Sequence, residues 1–288
     1  MRIVLTGSSG RVGRAVFAAL CAKHEIIGID RTPFSTTRVV GDFSDRNLLR
    51  AALARADAVI HTAALHAPSV GVLPDKDFQR INVEGTRFLA LQAIAAGVKR
   101  FVFTSTTALY GSAVSAGRCT WIDEDMPPLP KSIYHRTKLE AETILEGMAE
   151  PRFAVRVLRM SRCFPEPGAM MAAFRLHRGI DVRDVADAHA AALVNGGENF
   201  QRYIVSAANP FTVLDCEALS TDAAGVIRKM VPDIAAEFDR RGWRLPGAID
   251  RIYDPSRAKH GLGWQSLYGF QEVLAQLDRR SLEVLPQG

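Results

Sequence analysis

The sequence predicts an α/β protein built on a doubly wound parallel sheet, with a smaller C-terminal region. Three observations predict it. Short aliphatic runs alternate with amphipathic helical stretches through residues 1–160, the pattern of β-α-β units in a parallel sheet. The first of these units places Gly7, Gly10 and Gly13 between its strand and its helix, and the strand after that helix ends on an acid, Asp30.

In chain order, Arg2–Thr6 reads as a short buried strand. The turn Thr6-Gly7-Ser8-Ser9-Gly10-Arg11-Val12-Gly13 follows, then a helix through about Lys23 and a second strand, Glu25–Asp30. Glycines allow a backbone to approach a pyrophosphate, and a helix N-terminus offers free N–H groups and a favourable dipole. A tight turn alone would also call for glycine. Strand before, helix after and acid at the end of the next strand favour the dinucleotide site, with Gly7, Ser9, Gly10, Arg11, Val12 and Gly13 lining it. Asp30 stands 20 residues past Gly10, where an acid would bind the adenosine ribose hydroxyls. Its carboxylate repels a 2′-phosphate and favours NAD, whereas Arg31 and Arg38 nearby can accommodate that phosphate, so NADP stays open.

The pattern repeats. Val39-Val40-Gly41-Asp42 reads as a short strand, Arg46–Ala54 as a helix, and Ala58–His61 as a strand ending in the small-residue turn Thr62-Ala63-Ala64. A long helix spans Asp75–Gly97, and Arg100–Ser105 is a strand. In doubly wound sheets ligands bind beyond the carboxyl ends of the strands, which is where Asp42, Ala63, Ala64, Ser105 and Thr106 fall. From Gly111 to Tyr134 the chain is loop-like, with Pro127, Pro128 and Pro130. A helix then runs to about Gly147, Phe153–Arg159 is a strand, and the chain ends in an amphipathic helix, Gly269–Leu282. The domain reading is a dinucleotide-binding domain over 1–160, its sheet completed by parts of 178–206, and a mostly helical substrate-binding region over 161–288.

On the helix after the prolines, Tyr134 and Lys138 are four residues apart and project from one face. An ammonium near a phenol favours the phenolate, so such a tyrosine can exchange a proton near neutral pH. The spacing is common by chance and gains weight from its surroundings.

Composition narrows the function classes. Apolar residues make up 48% and charged residues 23%, ordinary values for a globular protein. The net charge of +5 comes from dispersed arginines rather than a basic block, which argues against nucleic acid. Cys21, Cys119, Cys163 and Cys216 are scattered, with no metal-ligand spacing, so no metal is expected. No apolar run is long enough for a membrane span and the N-terminus does not read as a signal peptide, so a cytoplasmic protein is the expectation.

Taken together, the motifs resemble the extended short-chain dehydrogenase/reductase family, also called NAD-dependent epimerase/dehydratase, over nearly the whole chain. They are Thr6-Gly-x-x-Gly-x-x-Gly13, Asp30, Gly41-Asp42, His61-Thr-Ala-Ala64, Asn82 in Ile81–Thr86, and Thr104-Ser-Thr-Thr-Ala-Leu-Tyr-Gly111. They continue with Glu124, Pro127, Pro130, Tyr134-x-x-x-Lys138, Gly179–His189, and Tyr253–Ala258 leading into Leu262-Gly-Trp264. The resemblance implies a Rossmann sheet and an oxidoreductase. Tyr134 would be the acid/base; Lys138 would bind the nicotinamide ribose and lower the tyrosine's pKa. Thr106 would orient the reacting oxygen, with Ser105 its substitute. Asp42 with Phe43 would hold the adenine, Ala63 and Ala64 the pyrophosphate and ribose path, and Asn82 and Thr104 would complete the cofactor set. It also implies a homodimer through the helices over 75–97 and 134–147. The blander readings make His61 structural, Asn82 a local cap, His135 turned away from Tyr134, and Trp264 core, with His66 either loop surface or pocket wall.

The sequence departs from nucleotide-sugar enzymes of this family. Arg162 occupies the place of the asparagine that holds the substrate phosphates there, and some ten residues separate Gly168 from Gly179 where those enzymes insert tens. Arg159-Met-Ser-Arg-Cys-Phe-Pro-Glu-Pro167 instead resembles uronate dehydrogenases, although the arginine pair that follows it there is replaced by Gly168-Ala-Met-Met171. Arg162 is therefore the candidate for binding a sugar or sugar acid, by bidentate recognition of a carboxylate; a salt bridge to Glu166 is the competing reading. Three readings follow: a dehydrogenase of a sugar or sugar acid, an epimerase or dehydratase that recycles its cofactor, and a non-catalytic dinucleotide sensor.

Overall fold

The computed structural model describes residues 1–115 and 117–285. Strands β1 (Arg2–Thr6), β2 (Glu25–Asp30), β3 (Val39–Val40), β4 (Ala58–His61) and β5 (Arg100–Thr106) join β7 (Ala154–Met160) and β8 (Phe200–Val205) in one seven-stranded sheet. Its order is β3-β2-β1-β4-β5-β7-β8, and β3, β2, β1, β4 and β5 pair in parallel. Ile3, Val4 and Leu5 of β1 are fully buried, as a strand covered on both faces requires. The chain winds outward from β1 through β2 to β3, then returns to β4 on the other side. The β1–β4 boundary is therefore the switch point at which such sheets bind ligands.

Helix α1 (Arg11–Leu20) buries Gly13, Val16 and Leu20 along one face, and Cys21–Lys23 form a turn rather than its last turn. Helix α2 (Arg46–Leu53) starts where the Asp45 carboxylate accepts the N–H groups of Asn47 and Leu48. The long helix predicted over 75–97 is present in three parts: α3 (Asp75–Phe78), a π-helical turn over Gln79–Glu84, and α4 (Gly85–Ala95). Helix α5 (Ile133–Met148) is capped by the Ser132 hydroxyl, which accepts the His135 N–H. Leu49, Leu53, Leu89, Ala141 and Leu145 from these helices pack with Val4, Ile27, Phe101, Phe103, Val155 and Val157 of the sheet. Full burial of one such large side chain contributes about 1.5–3 kcal/mol.

The chain divides into two compact units. The first comprises Met1–Leu109, Pro130–Arg159 and Val185–Tyr203; the second comprises Tyr110–Leu129, Met160–Asp184 and the chain from Ile204 onward. Tyr110–Leu129, placed in the first domain by the sequence reading, clusters with the second unit. The reason is a strand the sequence did not reveal: β6 (Thr120–Ile122) pairs in parallel with β9 (Arg251–Tyr253). Three residues are too few to show a period, and the partner lies far along the chain.

The second unit also holds α6 (Gly168–Arg175) and the start of α7 (Val182–Val194), followed by α8 (Cys216–Thr221), α9 (Ala223–Met230), α10 (Pro232–Arg240), α11 (Ser256–Leu262) and α12 (Phe270–Asp278). Trp264 is buried there and donates its indole N–H to the Asp184 carbonyl, a core position.

Candidate active site

The glycine turn is shaped by close approach. Gly7 has φ +75°, and a Cβ there would lie 2.6 Å from the Ala63 nitrogen; a Cβ on Gly13 would lie 2.1 Å from the Gly7 oxygen. Side chains at these positions would push β1, α1 and the turn after β4 apart. α1 begins with Gly10 as its N-cap, no side-chain cap and no acid in its first turn, so its first amides face outward with a favourable dipole. The Asp30 carboxylate is fixed beside them, accepting the Ser9 N–H at 3.1 Å and the Thr32 N–H at 3.0 Å. Backbone amides in a cradle too tight for side chains, with an acid at its edge, fit the pyrophosphate and ribose of a dinucleotide. Ser9, Arg11 and Val12 line the same turn, partly exposed.

At the rim, Ser44 donates both its N–H and its O–H to Asp42 Oδ1. Burial alone would raise the Asp42 carboxyl, but those bonds and the charges of Arg31 and Arg80 hold it below its ordinary value. Phe43 turns inward: its ring meets His61 edge-on at 5.1 Å and packs against Gly85. Ala63 and Ala64 are partly exposed beside Gly7, and His66 is on the surface.

His61 is fully buried and its imidazole is pushed down to about 3, first by burial and then by the Lys138 charge. The Thr86 hydroxyl donates to the Asn82 carbonyl, so His61 Nε2 donates to Thr86 and Nδ1 accepts from Thr6. This is a satisfied structural histidine.

Asn82, predicted to touch the cofactor, does something else. It is 1% exposed within the π-helical turn. Its Oδ1 accepts the Leu65 N–H at 2.8 Å, and its Nδ2 donates to the Leu65 carbonyl at 2.9 Å and to Thr137 Oγ1 at 3.1 Å. Both amide hydrogens are thereby committed to protein. Thr137 in turn donates to the Tyr134 carbonyl. The asparagine therefore clamps the segment after β4 to the first turn of α5, and the wider π turn is where the backbone makes room for it.

Tyr134, partly exposed, lies in that first turn, and α5 packs against β5, whose last residue is Thr106. The Ala108 N–H donates to Thr106 Oγ1 at 3.1 Å, which orients the hydroxyl. Lys138 is 3% exposed, with its ammonium 3.9 Å from the centroid of the Phe103 ring. Burial drives its pKa down to about 7, opposed by the charge of Glu142. His135, expected to face away, instead meets the Tyr134 ring edge-on at 5.7 Å, and Lys131 N–H donates to its Nδ1.

Two hydroxyls assigned to ligands point into protein. Ser105 is buried and donates to Glu142 Oε1 at 2.5 Å; Arg159 holds the same carboxylate through Nε and Nη2. Thr104 is buried and bonded to His189 Nε2 at 2.7 Å. Because His189 Nδ1 donates to the Val185 carbonyl, Nε2 must accept, so the Thr104 proton is taken. Strand alternation separates Ser105 from Thr104, but β5 is covered on both faces, so each finds a buried partner. Glu142 and Thr137 were missed by the sequence reading, and Arg159 and His189 entered it only as ends of motifs, with no role of their own. Only Glu142 offered a signal, four residues beyond Lys138 on the same helix face.

In the second unit, Arg162 is half exposed and ion-paired with the buried Glu166, with its guanidinium 5.8 Å from the ring centroids of Phe164 and Phe174. Among the described residues no group of three His, Cys, Asp or Glu could hold a metal ion, and no helix is long and apolar enough to cross a membrane.

The NAD dependent epimerase/dehydratase family matches residues 3–169, more than half of the 288-residue chain. The chain belongs to that family. As a member it is 30% identical over 178 residues to the UDP-glucose 4-epimerase of Neisseria meningitidis serogroup C, covering 55% of this chain and 52% of the relative. The UDP-glucose 4-epimerase of Bacillus subtilis (strain 168) is 26% identical over 335 aligned positions, 96% of this chain and 95% of the relative. The chain spans about half the length of several of the curated relatives it matches. Among solved structures, a short-chain dehydrogenase/reductase superfamily protein from Agrobacterium tumefaciens with bound NAD shares the fold at a TM-score of 0.71, 24% identity and 97% coverage of each chain. MoeE5 in complex with UDP-glucose and NAD gives 0.71 at 22% identity, covering 98% of this chain and 100% of its own.

Proposed function

We propose that the protein is an NAD-dependent oxidoreductase acting at a hydroxyl-bearing carbon of a sugar or sugar acid, with Tyr134 as the acid/base. The observation that carries the reading is Lys138: a buried ammonium one helical turn from Tyr134, in a family that uses NAD. A desolvated cation there favours the phenolate far more than a solvated one would. Tyr134 takes the proton of the substrate hydroxyl in oxidation and returns it in reduction. Thr106, oriented by the Ala108 N–H, hydrogen-bonds the reacting oxygen.

The amides of the Gly7–Gly13 turn hold the pyrophosphate, Asp30 the adenosine ribose, and Ala63 and Ala64 line the path between them. Asp42 marks the adenine end, with Arg31 beside it. Bound NAD supplies the hydride acceptor. The Asp30 carboxylate favours NAD over NADP, and Arg31 is the residue that would soften that choice. Arg162 is assigned to an anionic substrate group, which would displace Glu166 from its guanidinium. Arg162→Ala kinetics tests this: unchanged kcat/KM on every acidic sugar would remove Arg162 from the site. A homodimer through α4 and α5 belongs to the same reading, checked by light scattering.

The UDP-glucose 4-epimerase relatives favour a second reading, epimerisation with the cofactor recycled within one turnover. The short Gly168–Gly179 stretch, occupied by α6, leaves little chain for gripping a nucleoside diphosphate. The experiment is a panel of sugars, sugar acids and UDP-sugars with NAD and with NADP, followed by absorbance of the reduced nicotinamide. Stoichiometric reduction with a free sugar or sugar acid is the expected outcome. Isomerised UDP-sugar with no net reduction would establish the second reading instead.

A further inference from the structure

The buried trio Ser105, Glu142 and Arg159 lies on three different elements, β5, α5 and β7, within the first unit. Glu142 and Arg159 are 1% and 2% exposed at the side chain and 2.6 Å apart, and the Ser105 hydroxyl donates to the same carboxylate. Two of these elements carry the proposed chemistry. Ser105 immediately precedes Thr106, and Glu142 stands one helical turn beyond Lys138, which itself stands one turn beyond Tyr134.

We propose that Ser105, Glu142 and Arg159 form a positioning network that locks the strand bearing Thr106 to the helix bearing Tyr134 and Lys138, with the Glu142 carboxylate holding the positive charge on Lys138. The inference rests on the catalytic reading of Tyr134 and Lys138 given above.

The surroundings of Lys138 explain why it needs such a partner. From α5 it has Tyr134 and Glu142; from β4 the neutral, buried His61; from β5 the face of the Phe103 ring. Arg159 on β7 and Arg202 on β8 act on the same carboxylate, Arg202 at 3.9 Å from Glu142 and 2.7 Å from Glu146. The ring face and Glu142 favour the ammonium; burial opposes it and brings its titration to about neutrality. Two guanidiniums and a hydroxyl pair the buried Glu142 carboxylate, so its charge is compensated by Arg159 and Arg202 as well as by Lys138. Removing the carboxylate charge should lower the Lys138 midpoint, and removing Arg159 should raise it. Opposite shifts would not follow from a network that merely braces the fold.

The test is the titration of Lys138 in the full chain, read by NMR of ¹³C-labelled lysine and assigned by the resonance missing in Lys138→Met. In Glu142→Gln the midpoint should fall by about one pH unit, the size of a charge one helical turn away at an intermediate dielectric. In Arg159→Met it should rise. If either variant fails to fold, Glu142→Gln/Arg159→Met, in which neither charge is left uncompensated, should fold and still titrate below the wild type. Glu142→Asp, which keeps the charge, should restore most of the wild-type midpoint. Loss of thermal stability with no change of midpoint in any folded variant would overturn the proposal. Failure of the wild type to bind NAD or turn over any sugar would instead defeat the proposed function, while the titration would still read the network.

Discussion

Among the described residues, each unit of the molecule has an arginine–carboxylate pair buried on both sides, and the two pairs have different neighbours. In the first, Glu142 and Arg159 enclose Ser105 and stand one turn from a desolvated lysine. In the second, Asp181 receives Arg175 and Arg183, accepts the Arg183 N–H and a Gln276 amide, and Arg183 goes on to Glu272. Burial would raise the Asp181 carboxyl, yet the bonds and charge of Arg183 and the charge of Arg175 hold it below its ordinary value. That pair ties α6, α7 and α12 together, beside Asp184, whose carboxyl is pushed up to about 6 by burial. The same chemistry fixes a fold in one unit and conditions a candidate active site in the other. What separates the roles is the adjacent group: Lys138, one turn from the proposed acid/base, in the first unit, and in the second Asp184, whose carboxylate accepts the Leu267 and Tyr268 N–H groups.

The largest effect that can sharpen this contrast is on stability. Breaking a buried pair costs about 3–5 kcal/mol, so Asp181→Asn and Glu142→Gln should both lower the melting temperature substantially. They should then part company: NAD affinity in calorimetric titration survives in folded Asp181→Asn. If Asp181→Asn weakened NAD binding as much as Glu142→Gln, the contrast would be lost.

A second effect has the opposite sign. Lys138 is depressed from 10.5 to about 7, so burying its ammonium destabilises the fold fully below pH 7, and this penalty fades as pH rises toward 10.5. Lys138→Met removes it. The apoprotein variant should melt higher than the wild type, most clearly below pH 7, while turnover falls by about 10²-fold or more. A variant less stable than the wild type across that range would contradict this penalty.

The smallest effect concerns His189, the partner of Thr104 behind Thr106. Burial pushes its imidazole from 6.5 down to about 4, so the folded state binds fewer protons than the unfolded chain between those values. Its contribution to stability is present above pH 6.5 and is lost as pH falls toward 4. Glu124, raised to about 6 by burial, acts in the opposite sense over part of that window, so the variant comparison is the informative one. In His189→Gln the fall of melting temperature between pH 6.5 and 4 should be shallower than in the wild type; an identical slope would show that His189 does not titrate there.

Legibility in the sequence followed the same division. The strands over 25–30 and 58–61, the glycine turn and Asp30 all emerged where expected, because each depends on local periodicity or on a residue type demanded by its own backbone. Direction and partnership were harder. Nothing near Ser105 says that its hydroxyl meets Glu142, since the fork that orders the carboxylate comes from Arg159 on another strand. Asn82 is recognisable as special, but its task depends on a π turn and on the Leu65 backbone, neither of which leaves a local pattern. Strand β6 depends on β9 for its existence. Arg162 lies between these cases: its i,i+4 pairing with Glu166 was foreseeable, whereas an anionic ligand competing for it leaves no mark on the chain.

The central claim is that Tyr134 moves the proton. Tyr134→Phe removes one oxygen and keeps the ring against His135, so the fold and NAD affinity should be retained. With the sugar or sugar acid identified by the panel, the rate of nicotinamide reduction should fall by about 10²–10⁴-fold relative to the wild type. Turnover that survives undiminished in Tyr134→Phe would contradict the account.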